Sequence, residues 1–233
     1  MKKTMAVCLF VMVLCFLGIM PGIAATDQPV AKPDAQFGGP DKPVPVPNAQ
    51  KKITVDGNPA KWTAIKALPA PNTNKPAGAI KLQWSTEGLY GLLQVKDDKI
   101  DVNVDTPWSS DCVEIWLETD FARAGQMSDN AFQIVLAPNP NALNGKSLVL
   151  VPQGTMDAEA IKAITKTSKE GYTIEFFIPA KELTGAKMVV GTKIGFDYSV
   201  DLKGKSVESF AGAKTATGGY ANPSVWGAIQ LAK

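Results

Sequence analysis

The sequence predicts an all-β fold, an antiparallel β-sandwich of jelly-roll type and immunoglobulin-like size. Three observations carry this reading. Apolar and polar residues alternate in many short runs, the period of a half-buried strand. Gly, Asn and Pro turns separate the runs. Only one stretch, residues 180–183 just after Pro179, reads as a helical turn. Many short strands without helices bury their apolar faces best as two packed sheets.

The first 25 residues stand apart from that fold. Lys2 and Lys3 precede an uncharged apolar run over residues 6–19, and small residues follow at Gly22, Ala24 and Ala25. This is the layout of a secretory signal peptide cleaved after Ala24 or Ala25, which places the protein outside the cell or in the periplasm. The run is shorter than the roughly 20 residues of a membrane span. Cys15 follows Leu14 rather than a small residue, so a lipoprotein is not expected. Residues 26–50 are rich in Pro, Gly, Ala and Asp, with prolines at nearly every other position over 40–47. They read as an extended linker. The sandwich is expected over 51–233, ample for one core and short for two.

Within that domain, residues 80–85 set Ile80, Leu82 and Trp84 on one face and Lys81, Gln83 and Ser85 on the other. Thr86-Glu87-Gly88 then turns the chain into a strand over 89–95. Residues 111–119 direct Val113, Ile115 and Leu117 inward, and Cys112, Glu114, Trp116 and Glu118 to the opposite, wetter face. Residues 130–137 direct Phe132, Ile134 and Leu136 inward and Gln133 outward. Residues 172–178 and 194–200 repeat the alternation, and 161–167 and 225–231 are weaker strands.

Composition excludes several functions. Removing the leader takes Lys2 and Lys3 from the 24 basic residues and leaves 22 of each sign. A chain without net charge offers no electrostatic footprint for nucleic acid or an anionic membrane. Only Cys112 would remain, so no intrachain disulfide can form. There is no histidine. That removes a Ser-His-Asp or Cys-His triad and the commonest ligand of zinc and haem.

The chemistry that remains concentrates in Pro107-Trp108-Ser109-Ser110-Asp111-Cys112-Val113-Glu114. An indole face stacks on the CH-rich face of a sugar ring, and a carboxylate accepts hydrogen bonds from its hydroxyls. A sugar site needs both a flat apolar platform and a few fixed polar groups. The plainer account is a Trp that anchors its loop and a Glu left in water. Cys112 reads as a small packed thiol, and Trp62, Trp84 and Trp226 as packing residues.

Six segments in order resemble family 9 carbohydrate-binding modules. They are Ile53-Thr54-Val55-Asp56-Gly57-Asn58 with Trp62; Ile80-Lys81-Leu82-Gln83-Trp84 with Gly88-Leu89-Tyr90; Pro107-Trp108 with Asp111-Cys112-Val113-Glu114-Ile115-Trp116; Gly171-Tyr172-Thr173-Ile174-Glu175 with Ile178-Pro179; residues 191–197; and Tyr220-Ala221-Asn222-Pro223-Ser224-Val225-Trp226-Gly227. No one motif is specific, but their order covers nearly the whole domain. The resemblance implies a clamp of two aromatic rings gripping the end of a glucan or xylan chain, with polar groups at one end. Carried over, Trp108 is the first ring, Tyr220 the second (where the family has Trp), and Glu114 the carboxylate. Gln133 stands where the family has Arg, and Thr217 where it has Asn. A neutral Gln removes a forked, charged donor.

The resemblance also implies a structural calcium ion. Asp97-Asp98 and Asp56-Gly57-Asn58 are oxygen-rich turns that could serve, with turn formation as the competing account, so no metal ligand is assigned. The expected function is an exported, non-catalytic module that binds a saccharide or polysaccharide in polysaccharide breakdown. It requires no cofactor, touches neither nucleic acid nor membrane, and is expected to be a monomer. Two alternatives stand beside it. One is a haem-binding module of the related DOMON type, ligated through Met127, Met156 or Met188 with Lys. The other is a glycosidase drawing a carboxylate pair from Glu114, Glu118, Glu175, Asp197 and Asp201.

Overall fold

The computed structural model describes residues 42–69, 77–204 and 208–233. The leader over 1–25 and the first part of the linker lie outside the described residues. The strands are β1 (Val44–Val46), β2 (Leu68–Pro69), β3 (Gly78–Ser85), β4 (Gly88–Lys96), β5 (Cys112–Glu118), β6 (Ala131–Ala137), β7 (Leu148–Gln153), β8 (Lys162–Ser168), β9 (Gly171–Pro179), β10 (Lys193–Asp201), β11 (Glu208–Ser209) and β12 (Gly227–Leu231). They form two sheets. The larger runs β1-β12-β10-β5-β6-β7, with β11 paired to β10; the smaller runs β2-β3-β4-β9-β8. Every pairing is antiparallel except that of β1 with β12. Among the described residues helical structure is confined to short 3-10 turns, of which Ala180–Glu182 is the one read from the sequence. No helix among them is long and apolar enough to cross a membrane.

The inward residues follow the predicted parity. Ile80, Leu82 and Trp84 of β3, Val113, Ile115 and Leu117 of β5, and Phe132, Ile134 and Leu136 of β6 meet Tyr172, Ile174, Phe176 and Ile178 of β9 in one core. Two faces meeting in this way bury the apolar half of each alternating strand.

Three features depart from the sequence reading. First, the sandwich begins before residue 51. Val44–Val46 pairs with Ile229–Leu231, Ala232 donates to the Val46 carbonyl at 2.8 Å, and Ala49 donates to the Trp84 carbonyl at 2.7 Å. This stretch joins the two sheets along one edge. Proline is compatible with such a place, because an edge strand can leave an N–H unmade on its outer side. Second, β7 has no clean alternation, and its Pro152 marks it as the other edge strand of the larger sheet. Third, the outer face of β5 and β6 is not wet. Every residue of both strands is buried, because two long connections, residues 97–111 and 210–226, fold back over that face.

Candidate functional site

The covered outer face of the larger sheet carries an unusual set of polar side chains. Ser199 lies opposite Glu114, Asp201 opposite Cys112, and Asp197 opposite Trp116. On the other side Gln133 lies opposite Trp116 and Gln153. Period-two geometry places all of these on one face.

The segment over 210–226 is held above them at both ends. Asp197 accepts hydrogen bonds from the amides of Ala211 and Ala213, both at 2.8 Å. At the far end Arg123 donates to the carbonyls of Ser224, Trp226 and Gly227. Arg123 and Phe121 both have left-handed φ angles, 55° and 54°. Such angles cost non-glycine residues energy. They are sustained because Glu118 accepts the amides of Arg123 and Ala124. Inside the segment, a Cβ on Gly219 would stand 2.1 Å from the Gly212 carbonyl oxygen, so the chain can fold on itself only with glycine there. The segment packs on the sheet through Trp116, Ala131, Ala213, Val225 and Trp226, and the Trp226 indole donates to the Gly219 carbonyl at 2.7 Å.

Two turns raise aromatic rings out of this cover. Trp108 sits in the turn Pro107–Ser109, which packs against β5 and β6. The turn is closed by Ser109 donating to the Thr106 carbonyl and Ser110 to the Pro107 carbonyl. Tyr220 sits in the turn Gly219–Ala221, beside the Trp116 and Trp226 cluster. Trp108 is 43 % exposed and Tyr220 53 %. They are the two exposed aromatic side chains among the described residues.

Beneath them runs a hydrogen-bonded chain of polar groups. Gln153 donates to Gln133 at 2.7 Å, and Gln133 donates to Glu114. Lys214 pairs with Glu114 and, at 3.2 Å, with Asp201. Its ammonium also lies 5.9 Å above the Trp116 ring, within cation–π range. Burial disfavours the Lys214 charge, but Asp201 and Glu114 outweigh it and hold its pKa above the usual lysine value. Burial, then Glu114, pushes Asp201 up to about 7. The Cys112 thiol, pushed well up by burial, lies 3.8 Å from Asp201.

The expectation that Glu114 and Gln133 stand on a wet face is therefore corrected. Glu114 is 1 % exposed and Gln133 8 %. Parity was read correctly, but parity reports a face and not what covers it. The structure brings Glu114 and Gln133 into contact and sets Trp108 and Tyr220 on turns over the same face. Sequence reasoning missed Lys214. Its signal lay in a loop, where periodicity says nothing about neighbours.

The other carboxylates offered for catalysis are committed elsewhere. Glu175, on the smaller sheet, accepts from the amides of Asp56 and Gly57, from the Trp62 indole and from Lys61. Glu118 and Asp197 hold the loops already described. Glu114 and Asp201 do approach each other, with ligand atoms within 4.8 Å, but both are buried and share Lys214. Met156 and Met188 pack in the core between the sheets, and Met127 packs on the Trp116 cluster. Of the calcium candidates, the Asp56 carboxylate accepts from the Asn58 amide and pairs with Lys61 at 2.8 Å. It already serves a turn and an ammonium, which does not suit a hard cation. A cavity of about 710 Å³ opens over Lys96, Lys166 and Thr173 of the smaller sheet and Asp56 and Asn58 of the loop packed on it. No exposed aromatic ring lines it, and we place the candidate site at the aromatic turns instead.

Known proteins resemble this chain in both sequence and fold. Endo-1,4-beta-xylanase A of Thermotoga neapolitana is 28 % identical over 158 residues, covering 66 % of this chain and 14 % of the relative. Endo-1,4-beta-xylanase A of Thermotoga maritima is 27 % identical over 173 residues, covering 72 % and 15 %. The chain thus spans about a seventh of the length of these relatives. A family 9 carbohydrate-binding module of Caldicellulosiruptor kristjanssonii in complex with cellotriose superposes with a TM-score of 0.67 at 24 % identity, over 81 % of this chain and 93 % of the other. The same organism's module in complex with glucose gives 0.66 at 22 %, over 80 % and 95 %. The family described as carbohydrate family 9 binding domain-like matches residues 56–233. With that match spanning both sheets and both aromatic turns, the chain belongs to the carbohydrate family 9 binding domain-like family.

Proposed function

We propose that this protein is an exported, non-catalytic module that holds a glycan chain end or small saccharide between Trp108 and Tyr220. The observation that carries the reading is the pair of exposed rings on fixed turns above a buried polar network. An exposed Trp is costly to leave in water, and stacking on a sugar ring recovers that area. The fold matches modules solved with cellotriose and with glucose, and the sequence matches part of two xylanases. A β-glucan or xylan is therefore the ligand class, and polysaccharide breakdown the setting. Against catalysis stands the burial of every carboxylate considered, each engaged by a cation or amides. Export rests on the leader over residues 1–25.

The test is affinity electrophoresis and calorimetry with cellotriose, xylotriose and glucose on the intact protein. The wild type should bind at least one. Trp108→Ala should weaken that binding at least tenfold, about 1.4 kcal/mol, and shift stability by no more than about 0.5 kcal/mol, as for a surface side chain. A wild type that binds none of these sugars, nor any member of a broader glycan panel, overturns the proposal.

A further inference from the structure

The saccharide reading names rings but leaves open which polar group meets the sugar. Glu114 is poorly placed for it. The side chain is 1 % exposed, one carboxylate oxygen takes the Gln133 amide, and the other pairs with Lys214. Gln133 is also enclosed, accepting from Gln153 and donating to Glu114. Lys214 differs. Its side chain is 25 % exposed, the most accessible charged group of the network, against 1 % for Glu114 and 5 % for Asp201.

Lys214 is also held in one place. Its neighbour Ala213 is fixed to Asp197. The ammonium lies over the Trp116 ring and is gripped by two carboxylates on adjacent strands. An ammonium has three donors. The ion pairs with Glu114 and Asp201 engage two carboxylates, so the ammonium keeps donor capacity for a further acceptor. Lys214 lies on the same segment that carries Tyr220, six residues before it, and above the sheet on which the Trp108 turn packs. Around it, Trp116 Nε1, Ser199 Oγ and Asp201 Oδ1 are buried and make no hydrogen bond among the described residues. Tyr172 Oη and Thr173 Oγ1 of the smaller sheet are likewise buried without a hydrogen bond, but the atoms around Lys214 form a group on one face, and buried polar atoms are ordinarily paired.

We propose that Lys214 is the saccharide-contacting donor of this site, and that Glu114 and Asp201 are positioning residues that hold its ammonium toward a sugar hydroxyl. This rests on the proposed saccharide function. A fixed charged donor reads hydroxyl position. A hydroxyl placed to meet it gains a charge-assisted bond, and a ligand lacking that hydroxyl leaves the donor without a partner.

The test is calorimetry with methyl β-glucoside and its four monodeoxy analogues on the wild type, Lys214→Met and Lys214→Arg, with circular dichroism and melting on each. The wild type should lose at least tenfold for one analogue. Lys214→Met should bind the parent at least tenfold more weakly and lose the preference against that analogue, while Lys214→Arg recovers part of both. If Lys214→Met folds poorly, Lys214→Gln serves, since it keeps a donor without the charge; the hydroxyl preference should shrink. Unchanged affinity in Lys214→Met, or weaker affinity with the hydroxyl preference intact in either variant, overturns the assignment. Loss of binding in Trp108→Ala beside such a result removes this inference and leaves the saccharide function standing. A wild type that binds none of these sugars removes both.

Discussion

Asp201 holds its proton far longer than a carboxyl in an unfolded chain. Burial and the adjacent Glu114 raise its pKa from 3.8 to about 7. Between those values the folded protein binds more protons than the unfolded one, so stability falls as pH rises. Below 3.8 both states are protonated, and above 7 both are ionised, so the dependence flattens at either end. Asp197 is shifted to about 7 as well, by burial working against its amide donors. Urea midpoints of the wild type should therefore fall from pH 4.5 to pH 7. Asp201→Asn keeps an acceptor for Lys214 and cannot ionise, so its midpoint should fall less over the same window. An identical slope in the variant would show that Asp201 does not titrate there. At this scale Trp108, Tyr220, Glu114 and Gln133 were all legible in the sequence as residues. What they touch was not, because Lys214 reaches Glu114 from 100 positions away.

Two buried carboxylates on opposite sheets hold two different elements, and this separates stability from binding. Asp197 pins the start of the segment that carries Lys214 and Tyr220. Asp197→Ala takes this acceptor from the amides of Ala211, Ala213 and Tyr198, and an unsatisfied buried donor costs about 1–3 kcal/mol. The substitution should also weaken sugar binding, since the segment proposed to hold the sugar loses its anchor. Glu175 pins the loop over residues 53–62 on the smaller sheet through four donors. Glu175→Ala should cost about 3 kcal/mol, as for removal of one partner of a buried ion pair, and leave affinity for the same sugar unchanged. Urea unfolding paired with calorimetry on both variants checks this. Equal loss of affinity in the two would mean that the sheets do not act independently. The elements themselves were read well where alternation was clean, as in β3, β5, β6 and β9. They were missed where an edge strand carried proline, as in β1 and β7.

The whole molecule depends on a stretch that its composition disguises as linker. Residues 44–49 reach across the open edge of the sandwich, pairing with β12 on one side and bridging to Trp84 on the other. Val46 is 1 % exposed there, and burying a valine contributes about 1.5–3 kcal/mol. A chain starting at Lys51 should therefore melt below one starting at Lys42, by about 2–3 kcal/mol. It should also associate more readily at high concentration, because the bare edge of β12 offers unpaired backbone groups. Melting curves and light scattering of the two chains decide it. Equal stability would mean that this edge strand contributes nothing.

The sequence by itself determined the sandwich, the inward face of each regular strand and the family, and it singled out two aromatic residues that the structure leaves exposed. These follow from local rules: a period of two sorts faces, and an ordered set of short motifs marks a family. The tertiary structure alone decided that the outer face of β5 and β6 is covered, that the sandwich starts before residue 51, and that Lys214 stands between Glu114 and Asp201. Periodicity says which side of a strand a residue takes. Only the path of a distant loop, held by Asp197 and Arg123, says whether that side meets water, a cation or a ligand.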